Sequence, residues 1–506
     1  QRTVRRRPVA PDDLNRFHLV GDPQIAPDGE AVLVRVQNVV DNENASNLWM
    51  IRSETSLVFT NGGTDRQGRW SPDGQHVAFV SQREEERPQL FLIPSRGGES
   101  KRLSQFPEGA IGEYRWSPDG QHIAVCFRAT EIEWTEKETQ RRAEQNLSDP
   151  PRVLDDPFYR LDGDGYFNGQ RLALFVIEVA TGKHRRLFSR GRRGVTEFGW
   201  SPCSTELVAV ANTSRQPWIT PWKDELYRVD LQSGKARRIP NVPAGSKQSP
   251  VWSPDGEAIA YAGHVGRQLW GSCNLNVFVC NVDCSATRNI TSGQDYCLGS
   301  VTLSDTAEAT FGAALQWTPD GKSLVMNFGW QGATVVATVP AAGGRVKVLT
   351  SDDKTILGGN LSEDGRRLAV TVNDVKTLPE AGVCRLSPSA SRAKIEQWSH
   401  LNADILQQLE LGPVESHWID SSDDTRVHTW VMKPPGFQTR KKYPAVIQVH
   451  GGPHTQYGCA FFHEFRVLAA SGYVVVYSNP RGSKGYGESH CDAIRGAWGQ
   501  KDWTDV

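Results

Sequence analysis

The sequence is poor in methionine, with three in 506 residues, and it contains no run of eighteen apolar residues. No membrane-spanning helix is therefore expected. Charge of one sign is also missing: 57 basic side chains face 58 acidic ones. Nucleic-acid and membrane-surface roles call for a strong basic excess, so neither is expected. The cysteines, at positions 126, 203, 273, 280, 284, 297, 384, 459 and 491, are odd in number and spread over a long chain. A disulfide framework is not the reading; a reducing, cytoplasmic compartment is. Cys273, Cys280, Cys284 and Cys297 lie near one another but lack the paired C-x-x-C of common zinc sites, so no metal or cofactor is expected. Behind the basic start QRTVRRRPVA there is no apolar stretch, which excludes a signal peptide in this segment. Because the first residue is Gln1, a few residues are expected to be missing ahead of it. Five N-x-[ST] sequons, one at Asn289, carry no weight in a cytosolic protein.

Glycine (47), proline (29) and tryptophan (16) are plentiful. With many short apolar runs, they predict many short strands joined by turns. One phrase recurs: RWSPDG at 69–74 and 115–120, VWSPDG at 251–256 and QWTPDG at 316–321. Weaker copies are QIAPDG at 24–29, GWSPCS at 199–204 and NLSEDG at 360–365. Successive copies stand about 45 to 65 residues apart, the repeat length of a propeller blade. The interval from Trp116 to Trp200 is about twice that and requires an insertion, placed at about 128–169. Ser-Pro-Asp-Gly suits a type I turn, and the Trp before it can wedge between neighbouring sheets. An alternating strand and then a glycine-turn hairpin follow, giving about four strands per blade. The prediction is mainly β: an N-terminal segment over 1–22 and a seven-bladed β-propeller over 23–393, with six or eight blades as alternatives.

After residue 393 the pattern changes, and 394–506 is predicted to begin an α/β-hydrolase domain. Residues 394–411 read as a helix or linker, and 415–434 as two strands around a turn at 421–424. Residues 445–449 form a continuous apolar run, expected to be a strand buried on both faces. The run ends in His450-Gly451-Gly452-Pro453-His454. A helix is expected over 461–471 and a second buried strand over 472–478, followed by NPRGSKGYG at 479–487. In hydrolases of this architecture a glycine-rich loop at this place supplies a backbone N–H to the oxyanion hole. Glycine permits that approach because it has no Cβ.

The seven SPDG-type repeats followed by YPAVIQVHGGPH and YSNPRGSKGYG resemble the prolyl oligopeptidase family of serine peptidases, and within it the acylaminoacyl-peptidase branch. The resemblance covers nearly the whole chain. It implies a propeller that caps a hydrolase domain and admits short peptides as substrates. Gly452 would be the oxyanion-hole donor, with Gly451, His450 and His454 bordering the substrate. Other branches carry a tyrosine where this sequence has His450, which favours the acylaminoacyl branch. The resemblance also implies a Ser-Asp-His triad and self-association into a homo-oligomer. No G-x-S-x-G occurs in the 506 residues. The triad is therefore expected beyond Val506, on the C-terminal remainder of the hydrolase domain, and the chain alone is expected to be inactive.

Several lesser features have plainer readings. His463-Glu464 lacks the second histidine of a zincin. Ser483-Lys484 is adjacent rather than S-x-x-K. Asp162, Asp164 and Asn168 lack the closing Glu of a calcium loop and read as a turn. Glu84, Glu85 and Glu86 read as a solvated loop tip, though an acidic pair could receive a peptide amine. Arg481 is expected to hold its loop through a carboxylate. A docking ring of the TolB-like kind, with no catalysis, is the alternative of a different class; dipeptidyl release is the alternative within the enzyme class.

Overall fold

The structure, a computed structural model, describes residues 6–53, 55–84, 87–154, 159–161, 165–166, 169–267, 271–283, 285–307, 312–387 and 391–506. Cys284, Glu85, Glu86, Asp162, Asp164 and Asn168 lie outside the described residues. Seven four-stranded antiparallel meanders follow one another along the chain, each built from contiguous sequence. Blade one runs from Leu19–Ile25 to Thr55–Val58, and blade seven from Thr355–Leu361 to Lys394–Gln397. The long interval is an insertion inside blade three, between strands His122–Ala129 and Ala173–Glu178, and it carries an exposed helix, Glu136–Glu144.

The repeated phrase builds the same turn each time. Ser71 Oγ donates to Asp73 Oδ1 at 2.5 Å and accepts the His76 N–H at 2.9 Å, while Gly74 N–H returns to Ser71 O at 2.9 Å. Ser117, Ser253, Thr318 and Ser362 repeat the hydroxyl-to-aspartate bond within 2.5–2.6 Å. The last residue takes a left-handed φ, +68° at Gly74 and +71° at Gly120; in the degenerate copy Ser204 is forced to +61°. The preceding Trp ties blade to blade. In four copies its indole N–H donates to a backbone carbonyl of the preceding blade: Trp70 to Gln24 at 3.1 Å, Trp116 to Arg69 at 3.2 Å, Trp200 to Arg115 at 3.1 Å, Trp317 to Val251 at 3.2 Å; the Trp252 indole N–H is buried and finds no partner among the described residues.

Blades seven and one close the ring. Asn360 exchanges two hydrogen bonds with the backbone of Ile25 (2.7 and 3.0 Å), and Arg367 pairs with Glu30 at 2.7 Å. Behind them Val20, Ile25, Val32 and Val34 pack against Ala369, Ala381 and Val383.

The remaining residues form a four-stranded sheet in the order Val414–Asp420, Arg426–Met432, Val474–Asn479, Ala445–Gln448. The last two strands pair in parallel, joined by the crossover helix His463–Ala470. One face packs Phe465 and Ala469 of that helix on Val475 and Tyr477.

Three expectations are corrected. Residues 394–411 are neither all helix nor linker: Lys394–Gln397 pairs with Gly382–Arg385 as the outer strand of blade seven, so the propeller runs past residue 393, and only Ala403–Gln408 is helical. The strand at 445–448 is not buried on both faces. Ile447 is 55% exposed and Val449 52%, because the helix covers the opposite face and Val474–Asn479 is the strand's one partner among the described residues. The N-terminal segment ends before residue 22, because the first strand of blade one starts at Leu19. Arg7 pairs with Leu409, and Val9 and Phe17 pack on Ile405 and Phe461. Among the described residues no helix is long and apolar enough to cross a membrane.

Trp116→Phe keeps most of the wedge but deletes the indole donor. It should lower stability by about 1 kcal/mol, and Trp116→Ala by about 3 kcal/mol or more, read from urea midpoints. The open edge at Ala445–Gln448, with Trp418, Ile419, Trp498 and Trp503 also exposed, should make the 506-residue chain self-associate. A sharp monomer peak in size-exclusion chromatography would overturn that.

Candidate active site

The parallel strand Ala445–Gln448 delivers the chain into the glycine loop at its C-terminal end, the end where open α/β sheets place ligands. Gly451 and Gly452 are exposed. Gly452 has φ +132°, and a Cβ there would sit 2.9 Å from Thr455 Cγ2. Among the described residues its N–H donates to no acceptor, so it is available to an outside oxygen.

The two histidines of the motif differ. His450 is buried beneath the loop. The Ser483 hydroxyl donates to Pro480 O at 2.6 Å, and its oxygen lies 2.9 Å from His450 Nε2. The Thr455 hydroxyl lies 3.0 Å from His450 Nδ1 and 2.8 Å from Gly451 O. Burial holds the imidazole below its ordinary pKa, and it acts as a neutral brace of the loop. His454 is half-buried, its Nδ1 at 2.9 Å from Gly482 O and 3.2 Å from Cys491 Sγ. Its ring abuts Gly271 of the propeller, where a Cβ would lie 2.9 Å from Cδ2.

The second loop is locked to the first. Tyr457 N–H donates to Asn479 Oδ1 at 2.8 Å, and Asn479 Nδ2 donates to Tyr457 O at 2.9 Å. Arg481 holds Asp505 through a bidentate fork (2.9 and 2.8 Å) and reaches Asp423 at 2.6 Å. The loop-holding carboxylate expected of Arg481 is thus present. Sequence reasoning missed Thr455, Gln456 and Asn479. The Asn-Pro step at 479–480 was the one available signal, since it marks a turn.

Two Ser–His pairs invite comparison with a nucleophile and its base. In the first, Ser483 is buried and its hydroxyl proton is committed to Pro480 O, so it is not offered to the imidazole. In the second, Ser416 Oγ lies 2.7 Å from His428 Nε2, and His428 Nδ1 is 2.9 Å from the Tyr486 hydroxyl. Asn479 Nδ2 donates to that hydroxyl oxygen at 2.7 Å, so the phenol proton points at Nδ1 and Nε2–H points at Ser416. Burial pushes His428 down to about 4, and a phenol replaces the carboxylate that would stabilise an imidazolium. Neither pair is a catalytic dyad.

A family model described as Prolyl oligopeptidase family matches residues 459–506. The Uncharacterized peptidase YuxL of Bacillus subtilis (strain 168) is 30% identical over 98% of this chain and 74% of its own length. The chain belongs to the prolyl oligopeptidase family. Dipeptidyl-peptidase 5 of Porphyromonas gingivalis is 24% identical over 62% of the chain, a match spanning 43% of that protein. Among solved structures, Pyrococcus horikoshii acylaminoacyl peptidase superposes with a TM-score of 0.74 at 17% identity, over 98% of this chain and 71% of that one. That likeness concerns the fold: this prolyl oligopeptidase family member shares the propeller-plus-hydrolase architecture.

The Arg481 side chain is 8% exposed and the Asp505 side chain 0%. Arg481→Met leaves that carboxylate buried and unpaired, and should cost about 3 kcal/mol or more, read by chemical denaturation. His428 gives a pH test. Its folded pKa lies near 4 against an ordinary 6.5, so the unfolded chain takes up the proton first as pH falls. The stability it contributes is whole above pH 6.5 and is lost on the way down to about 4. Between pH 7 and 5 the wild type should lose up to about 2 kcal/mol more than His428→Gln; equal losses would refute this.

Proposed function

We propose that the protein is a serine-type exopeptidase acting at the N-terminal end of short peptides, releasing N-acylated or free N-terminal residues. The observation that carries the reading is the exposed Gly451-Gly452 loop at the C-terminal end of a parallel strand, with the Gly452 N–H unclaimed by the protein. In this reading Gly452 N–H meets the oxyanion of the tetrahedral intermediate as charge develops on it. A Ser-Asp-His triad beyond Val506 forms and hydrolyses the acyl-enzyme. The 506-residue chain alone lacks a nucleophile and is inactive. Gly451 and His454 border the bound peptide, His450 braces the loop, and the propeller limits substrates to short peptides. Cys126, Cys203, Cys297, Cys384, Cys459 and Cys491 are free thiols, in keeping with a reducing, cytoplasmic setting.

Dipeptidyl release is the second reading. It is favoured by the name Dipeptidyl-peptidase 5 borne by several sequence relatives, at 24–29% identity. A docking ring without catalysis has less support, since it has no use for an open glycine loop on a parallel strand.

A fluorophosphonate probe should label one serine in a polypeptide that continues past Val506 and none in the 506-residue chain. Labelling of the short chain, or of neither, would defeat the proposal. An N-acetyl-aminoacyl chromogenic amide and a free-amine dipeptidyl one, compared by kcat/KM, then separate the two specificities.

A further inference from the structure

Gln456 stands four residues after Gly452 and is fully buried. Its side-chain amide makes three hydrogen bonds, all with the propeller. Nε2 donates to Thr302 Oγ1 and to Ala333 O, each at 2.8 Å, and Oε1 accepts the Gly332 N–H at 3.2 Å. Its backbone carbonyl accepts the Leu303 N–H at 2.9 Å. Gly332 and Ala333 form the hairpin between the second and third strands of blade six, and Thr302 lies on the segment entering that blade.

The stitching continues along the chain. Cys459 N–H donates to Gly332 O at 2.7 Å. Thr355 Oγ1 donates to Cys459 O at 2.9 Å, and Ser304 Oγ to Phe461 O at 2.8 Å. Asp305 of the propeller caps the helix His463–Ala470, its two oxygens accepting His463 N–H and Glu464 N–H at 2.8 Å each. Opposite Gln456, Gly485 admits no side chain: a Cβ there would lie 2.0 Å from Gln456 Oε1.

We infer that Gln456 is a positioning residue through which blade six of the propeller fixes the oxyanion loop, a role that rests on the reading of Gly452 given above. The transmission is short. Gln456 holds Thr455, whose hydroxyl donates to Gly451 O at 2.8 Å and whose methyl packs on Gly452. The carbonyl of Thr455 is held in turn by Lys484 N–H at 2.8 Å. The propeller is then part of the catalytic geometry rather than only a filter over it. An oxyanion donor displaced by about 1 Å costs on the order of a hundredfold in rate.

Thr302→Val tests the role from the propeller side and Gln456→Met from the loop side; Thr302→Ser keeps the hydroxyl. In the 506-residue chain, hydrogen exchange of the amides over 451–457 should accelerate about tenfold or more in the first two variants. Blade three should exchange as in the wild type, and Thr302→Ser should restore protection. In a polypeptide carrying the nucleophile, kcat should fall about a hundredfold with KM within about twofold. A merely structural glutamine would lower the melting midpoint and leave both readouts unchanged below it, which would overturn the inference. The exchange measurement needs no activity, so an unlabelled wild type would end the reading of Gly452 without deciding the role of Gln456.

Discussion

A four-stranded blade has two apolar faces and can bury neither by itself, so the structure depends on closing the ring. Many propellers fasten the seam by exchanging a strand between the ends of the chain. Here each blade is made from contiguous sequence, and the seam must hold by other means. Asn360 supplies them: its amide answers both the N–H and the C=O of Ile25, as a neighbouring strand would. Apolar packing between blades seven and one then excludes water from those bonds, which raises the cost of opening. The same device recurs around the ring. The indole donors of Trp70, Trp116, Trp200 and Trp317 each reach back one blade, so an aromatic wedge and a polar tie occupy one side chain.

The ring matters to the site because the hydrolase segment is laid directly on it. Gly332 and Gly458 meet backbone to backbone: a Cβ on Gly458 would fall 1.8 Å from Gly332 O, and one on Gly332 would enter the ring of Trp430. Two glycines permit an approach that no other residues would, and the hairpin of blade six thereby reaches Gln456. The N-terminal residues close the other side, with His463 Nε2 at 3.1 Å from Ala10 O and Arg7 N–H donating to Gln408 O at 2.9 Å. The hydrolase segment is thus gripped by the two ends of the propeller sequence and by its sixth blade.

How much of this was legible in the sequence follows from the range of the interactions. The blades could be read because Ser, Asp and Gly act within five residues, through turn bonds that local chemistry dictates. The insertion could be read from spacing alone. The outer strand Lys394–Gln397 could not: KIEQ is short and polar, and it becomes a strand by completing a blade whose inner members are apolar. The strand at 445–448 looked buried because apolar runs usually are, yet which face is covered depends on the helix that follows. At the site, HGG announced itself by the permissiveness of glycine. Gln456 did not, since its three partners lie more than 120 residues away in sequence.

The two Ser–His contacts show why proximity alone is a poor guide to catalysis. Each has a separation suited to proton transfer, and in each the hydrogen bonds around the pair are wrong for it. Ser483 gives its hydrogen to Pro480 O and has none to offer His450; Tyr486 gives its hydrogen to His428 Nδ1 and therefore turns the Nε2–H toward Ser416. A working base needs a carboxylate on its far nitrogen, to fix the opposite tautomer and to stabilise the imidazolium once formed. Here the far partners are a threonine hydroxyl and a phenol, which can do neither for a buried ring. Both histidines are instead held neutral by burial. Neutral, hydrogen-bonded rings can brace two loops without placing a charge beside the exposed glycines, and that leaves the Gly452 N–H as a donor unclaimed by the described residues.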